Sequence, residues 1–264
     1  MRRKNYFYYW LCYALICQIS LEAQQSFIQN DILSGLSRNN AGQVWINPAL
    51  LSTAEKPNLS LSYENRYQLK GFQNLQLAAS APLLKNQVFM GIEHQSLLDY
   101  TFMKFQIGMA KKLGQRLSVA AKFHYFQNKI DEYGQAKQLG FGLASSLKIN
   151  TQIHFLVHFI FPFQDVSSAS NLEAHIISGI DYQFSDEIQL RALFVKSINQ
   201  LPDIQIAAAY LFAKQFYFRF QFKTLHNSLG FSFGSLWKNQ FLINFGFQFH
   251  PHLAWSPGFN LSYQ

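Results

Sequence analysis

The chain has 264 residues, of which 49% are hydrophobic, 17% aromatic and only 14% charged; it carries 27 Phe and a formal net charge of +8. So apolar a composition excludes disorder, because the chain can bury enough surface to offset its ordering entropy. A polytopic helical membrane protein is excluded too: mean hydropathy is −0.04, and no run beyond residue 20 approaches the ~18 apolar residues that a membrane helix needs.

Residues 1–23 read as a secretory signal peptide, with Arg2, Arg3 and Lys4 as the basic start, Tyr6 to Ile19 as the apolar stretch and Ala23 before the cleavage point. A single anchor helix is the alternative, but the apolar stretch is short for a span. Both cysteines, Cys12 and Cys17, fall in this segment. The expected mature chain then has no disulfide, thiolate metal site or Cys nucleophile. It keeps 19 basic against 13 acidic residues. These charges are scattered, with no mature run longer than Lys111-Lys112, so a nucleic-acid partner is not expected.

Residues 24–55 form a distinct segment before the first strand, with 24–45 expected to tuck into a lumen as a plug and Asp31 to Leu36 as a short helix. The Asn47-Pro48-Ala49 motif reads as a structural turn. Pro48 fixes its own φ and holds Asn47 extended, and Asn side chains bond nearby backbone. A ligand-gating role is the alternative.

From residue 59 onward the chain alternates with period two, which places apolar side chains on one face of a strand. Leu59, Leu61, Tyr63, Tyr67 and Leu69 oppose Ser60, Ser62, Glu64, Arg66 and Gln68. The pattern recurs over 75–81, 88–92, 103–109, 117–125, 139–149 and 153–163, then over 174–184, 188–194, 204–212, 216–222, 229–233, 241–249 and 259–263. That predicts an all-β, antiparallel transmembrane barrel of about fourteen strands, with twelve as the alternative. Short polar links such as Lys85-Asn86 and Gly114-Gln115 read as hairpin turns. Longer links are expected at 127–137, 164–171 and 196–203.

A soluble sandwich would point the apolar face inward. Here that face is Phe-rich, and the opposite face holds Gly, Ser, Gln and Asn with far less charge than a soluble exterior carries. The last strand, Phe259 to Tyr263, is amphipathic and aromatic. Lipid outside and a closed barrel follow, with the cell outer membrane as the location. Tyr63, Tyr67, Tyr100, Tyr125, Tyr133, Tyr182, Trp237 and Trp255 fall near predicted strand ends, where aromatic girdles lie.

The predicted lumen charges are Glu64, Arg66, Lys104, Lys122, Lys148, Glu173, Asp181, Arg191, Arg219 and Lys223. Their positive excess would favour anions in an open lumen; a paired network holding a plug is the alternative. Chemistry is otherwise sparse. His154 and His158 lie ~13 Å apart along one strand, too far to share a metal alone. His124 and Ser118 share a face but lie ~20 Å apart along the strand, and His175 and Ser178 occupy opposite faces. No catalytic, metal or cofactor site is predicted.

Several short stretches resemble a known group. Trp45-Ile46-Asn47-Pro48-Ala49-Leu50-Leu51 precedes the first strand, Leu75 to Leu83 reads LQLAASAPL, and the chain ends with His250-Pro251-His252 and Leu261-Ser262-Tyr263. Together these resemble Bacteroidota outer-membrane barrels of the PorP/SprF and PorV/PorQ groups, whose shape is FadL-like. Leu50-Leu51-Ser52 replaces the Tyr-Ala-Gly usual in PorP/SprF and is closer to PorQ-like chains. The resemblance implies a non-enzymatic, partner-binding component of type IX secretion or gliding machinery, contacting outer-membrane lipid and secretion or surface proteins. The alternative is a FadL-like transporter or channel for a small apolar or anionic solute.

Overall fold

A computed structural model describes residues 40–97, 100–130, 134–163, 174–198, 200–225, 227–238, 240–251 and 254–263. The predicted signal peptide, residues 24–39 of the predicted plug with its helix at Asp31–Leu36, the predicted link at 164–171, Tyr133 and Glu173 lie outside the described residues. A one-turn helix α1 (Gln43–Ile46) and a 3-10 turn (Pro48–Thr53) come first. Then follow β1 (Asn58–Asn65), β2 (Gln73–Leu83), β3 (Asn86–Leu97), β4 (Tyr100–Leu113), β5 (Leu117–Ile130), β6 (Gly134–Lys148) and β7 (Ile153–Pro162). The second half holds β8 (His175–Gln183), β9 (Ile188–Ser197), β10 (Asp203–Phe212), β11 (Phe216–Lys223), β12 (Ser228–Trp237), β13 (Phe241–His250) and β14 (Ala254–Tyr263).

Each strand pairs antiparallel with its sequence neighbours, and β14 pairs with β1 to close the barrel. The described residues form fourteen strands, as the fuller periodicity reading predicts, and among them no unpaired edge remains for the bilayer to penalise. The alternation sorts as expected. Phe123, Phe218 and Phe245 stand 59%, 48% and 57% exposed on the outer face, and their sequence neighbours point inward and are buried, apart from half-buried Tyr217. At the end where the tight turns cluster, Trp237, Phe241 and Tyr263 stack in series with centroids 6.2 and 5.2 Å apart. At the opposite, loop end, Phe249 and Trp255 lie 4.9 Å apart. These pairs sit where interfacial girdles belong.

Two expectations need correction. The first strand stops at Asn65, short of the predicted Leu69. Pairing of β1 with β14 ends at Glu64 opposite Gly258; Pro257 lies next, a residue suited to the edge of a ladder. The chain then turns inward through Tyr67 and Gln68, with φ of 54° and 55°. Tyr67 leaves the predicted girdle. Its N–H bonds Ser256 Oγ at 2.9 Å, and its ring packs 5.7 Å from His250. Arg66 is therefore buried from a turn and not from a strand face. The second correction concerns the links. Most of 127–137 is strand, since β5 runs to Ile130 and β6 starts at Gly134. Alternation weakens there because both strands extend to polar, half-exposed ends.

Candidate functional site in the barrel lumen

The inner wall has two zones. Near the turn end it is lined by small residues, Ala78, Ala110, Ala120 and Ala144, all buried. Residues 40–54 pack onto this zone, with Ala41, Val44, Trp45, Ala49 and Leu51 joining those alanines in one apolar cluster. Gly91 makes room for the Trp45 ring: a Cβ there would lie 3.0 Å from two of its carbons. The small inner residues are thus the negative of the plug.

A single helical turn cannot satisfy its own last carbonyls. Barrel side chains do so instead. Lys122 Nζ donates to the Val44 carbonyl at 3.0 Å, and Gln106 Nε2 donates to the same oxygen at 3.4 Å. His158 Nδ1 donates to the Ile46 carbonyl at 2.8 Å. Ser52 Oγ bonds Ser118 Oγ at 2.7 Å. Asn47 serves both sides: its Oδ1 accepts from Ala49 N–H at 3.1 Å, and its Nδ2 donates to the Ser145 and Val157 carbonyls at 3.0 and 3.2 Å. The motif is a structural turn that also pins the plug to β6 and β7.

Lys104 lies over the Trp45 ring at 5.3 Å and the Phe126 ring at 5.5 Å. It stands opposite Glu93 across the β3–β4 ladder. Glu93 Oε1 accepts from Gln76 and Gln95 at 3.0 and 2.7 Å. Sequence reasoning missed Glu93, although it sits on the polar side of the 88–92 alternation one step beyond its predicted end.

Above the plug, toward the loop end, the inner wall turns apolar. Phe102, Phe126, Ile160, Ile177, Leu193 and Val195 point inward from β4, β5, β7, β8 and β9 and are buried. Barrel interiors are usually polar, so this patch is specific to the lumen's upper half. Its signal in sequence is faint: each residue occupies the nominally polar phase of its strand. His124 stands within the patch, stacked on Phe126 at 5.5 Å, and neither ring nitrogen has a hydrogen-bond partner.

The remaining lumen charges take separate places. Arg191 meets Asp181 at 3.3 Å across β8 and β9, and Gln189 bonds the other carboxylate oxygen at 2.7 Å. Arg66 meets Glu64 at 3.4 Å. Arg219 and Lys223 are buried on β11. Lys148 is only half-buried at the turn-end rim. The charges form several local groups, not one lining. Of the histidines, His158 is committed to the plug, and His175 bonds Ser197 at 2.5 Å, not Ser178. Among the described residues, no group of three or more His, Cys, Asp or Glu could hold a metal ion.

No protein-family model matches the chain, and no curated protein matches it. The fold is similar to the Ralstonia pickettii toluene transporter TbuX, with TM-score 0.65 and 12% identity over 88% of this chain and 95% of that one. It is also similar to the CymD monoaromatic hydrocarbon channel, with TM-score 0.65 and 12% identity over 86% of this chain and 92% of that one. A third likeness is to the P. putida toluene transporter TodX, with TM-score 0.63 and 11% identity over 88% and 95%. At such identity the likeness is one of fold. The chain is a closed fourteen-stranded barrel of the outer-membrane type.

Proposed function

We propose that the chain is a plugged outer-membrane channel that admits a small apolar solute. The observation that carries this reading is the inward apolar patch of Phe102, Phe126, Ile160, Ile177, Leu193 and Val195, set directly above a plug seated on the wall. Apolar side chains facing a lumen gain nothing from water and are favourable contacts for an apolar guest. The likeness in fold to two toluene transporters and a monoaromatic hydrocarbon channel supports the same reading.

This channel reading is favoured over a partner-binding component of type IX secretion or gliding machinery. The Asn47-Pro48-Ala49 segment behind that resemblance is buried in the barrel and spends its polar groups on its own turn and on β6 and β7. Nothing of it is offered to a protein partner.

Uptake of labelled toluene by cells carrying or lacking the chain tests the proposal. Entry should be faster with the chain and should fall when Ile177→Lys sets a charge in the apolar patch. Equal entry with and without the chain overturns the reading.

A further inference from the structure

The turn end of the barrel is unevenly charged around its rim. The turns joining β2 to β3, β4 to β5 and β6 to β7, with the strand ends beside them, carry Lys85, Lys111, Lys112, Arg116 and Lys148 and no Asp or Glu. Those joining β8 to β9, β10 to β11 and β12 to β13 set Asp186 and Glu187 against Lys214 and Lys238. Glu55 and Lys56, just before β1, cancel. The basic arc lies on consecutive strands. Gln87 stands opposite Ala110, which sets the turn of Lys85 beside Lys111. Lys112 faces Ser118 across the next hairpin, and the Lys148 N–H donates to the Arg116 carbonyl at 2.7 Å. Lys148 is half-buried and the other four are exposed. Among the described residues none of the five pairs with a carboxylate. Like charges gathered in this way repel, and an external anion relieves them.

The neighbours of these cations select the kind of anion. Lys111 continues the outward phase of β4 between Met109 and Leu113, both exposed on the lipid-facing side. A lysine there reaches polar surroundings by laying its stem along the apolar wall and extending its ammonium to the headgroups. Leu83, Leu84, Leu147 and Ile149 are exposed around the other cations. Leu84 tips the β2–β3 turn at 95% exposure, on a left-handed backbone with φ of 57°. That backbone is unfavourable for a bulky residue, and the side chain gains nothing from water. A surface of acyl chains beside phosphates meets both kinds of group; an acidic protein segment would satisfy the cations alone. Short turns of outer-membrane barrels face the periplasm, so the lipid is that of the periplasmic leaflet. Basic clusters of this kind draw anionic headgroups.

We propose that the turn-end arc of Lys85, Lys111, Lys112, Arg116 and Lys148 binds the headgroups of anionic phospholipids in the periplasmic leaflet. The arc covers one side of the rim only, so the barrel gathers anionic lipid beside β2 to β7 and not beside β8 to β13. The inference is independent of what the lumen admits.

Electron spin resonance of the full chain in phosphatidylcholine vesicles tests this, with spin-labelled phosphatidylglycerol or spin-labelled phosphatidylcholine as the reporter. The immobilised fraction should show a several-fold preference for phosphatidylglycerol at low salt. The preference should fade at about 1 M salt, where the Debye length is about 3 Å. Lys111→Gln, Lys112→Gln and Arg116→Gln together should remove most of it. Lys214→Gln with Lys238→Gln, on the balanced side of the same rim, should leave it in place. Heat-modifiable gel migration checks that each variant folds; where the triple variant does not, Lys85→Gln with Lys148→Gln decides. A parent chain without the preference overturns the proposal. So does a preference that survives the folded arc variants, or one lost equally in the Lys214 and Lys238 pair.

Discussion

His158 of β7 donates from Nδ1 to the main-chain carbonyl of Ile46 at 2.8 Å. A carbonyl only accepts, so Nδ1 carries the proton and the ring is held in one tautomer. The residue is 0% exposed, and the bond joins the barrel wall to the plug. His158→Ala leaves that carbonyl without its donor, at a cost of about 1–3 kcal/mol. We expect the parent chain to conduct rarely in planar bilayers and the variant to open more often. Adding Lys122→Met, which removes one of the two donors to Val44 O and leaves Gln106, should raise the open fraction further. Conductance equal to that of the parent in both variants would show that the His158 and Lys122 bonds do not seat the plug.

Asn47 separates two roles that the motif combines. Asn47→Asp keeps an oxygen for the Ala49 N–H but loses the donors to Ser145 and Val157, and sets a carboxylate against two carbonyls. Asn47→Ala loses both sets of bonds without adding repulsion. The aspartate variant should therefore expose residues 40–54 to protease more than the alanine variant does. Protection equal to the parent's in both variants would mean that the wall bonds contribute little. Pro48→Ala should be mild by comparison, since it removes only a restriction on φ.

The strand pattern of this barrel was legible because lipid on one side keeps an apolar outer phase at period two over most of β2 to β14. Phe218, Phe220 and Phe222 need no partner beyond β11 itself to declare their face. The plug seat was not legible. Ala78, Ala110, Ala120 and Ala144 are ordinary strand residues one by one, and only the register of neighbouring strands, with Ala110 opposite Ala120 and Ala120 opposite Ala144, gathers them on one part of the wall. The apolar patch was hidden for the opposite reason. Ile160 and Ile177 sit in the polar phase of strands whose outer phase is also apolar, so β7 and β8 read as apolar on both faces. Tyr67 misled because alternation continues through a turn that reverses the chain.

The outer face makes a depth-dependent prediction. Phe245 lies mid-strand on β13 at 57% exposure, and Trp237 ends β12 at 59% exposure in the turn-end girdle. An arginine at the bilayer midplane costs about 2–4 kcal/mol, falling to about 0–1 at the interface. Phe245→Arg should lower the urea midpoint of the chain folded in vesicles far more than Trp237→Arg does. Similar small losses for both would place solvent, not lipid, against β13.

His124 distinguishes a structural lumen from a working one. It is 1% exposed, stacked on Phe126, and both ring nitrogens lack partners. Gly142 gives it room, since a Cβ there would lie 2.9 Å from Nε2. Burying an imidazole without hydrogen bonds is unfavourable, so His124→Leu should hold stability or raise it by about 1 kcal/mol. If the apolar patch is a path for hydrocarbon, the same change also makes that path more apolar, and toluene entry should be kept or increased. Entry of phenol, which offers a hydroxyl to a ring nitrogen, should fall. A variant that loses stability would show that the ring is satisfied in the folded chain. One that admits phenol as the parent does would show that His124 touches no solute.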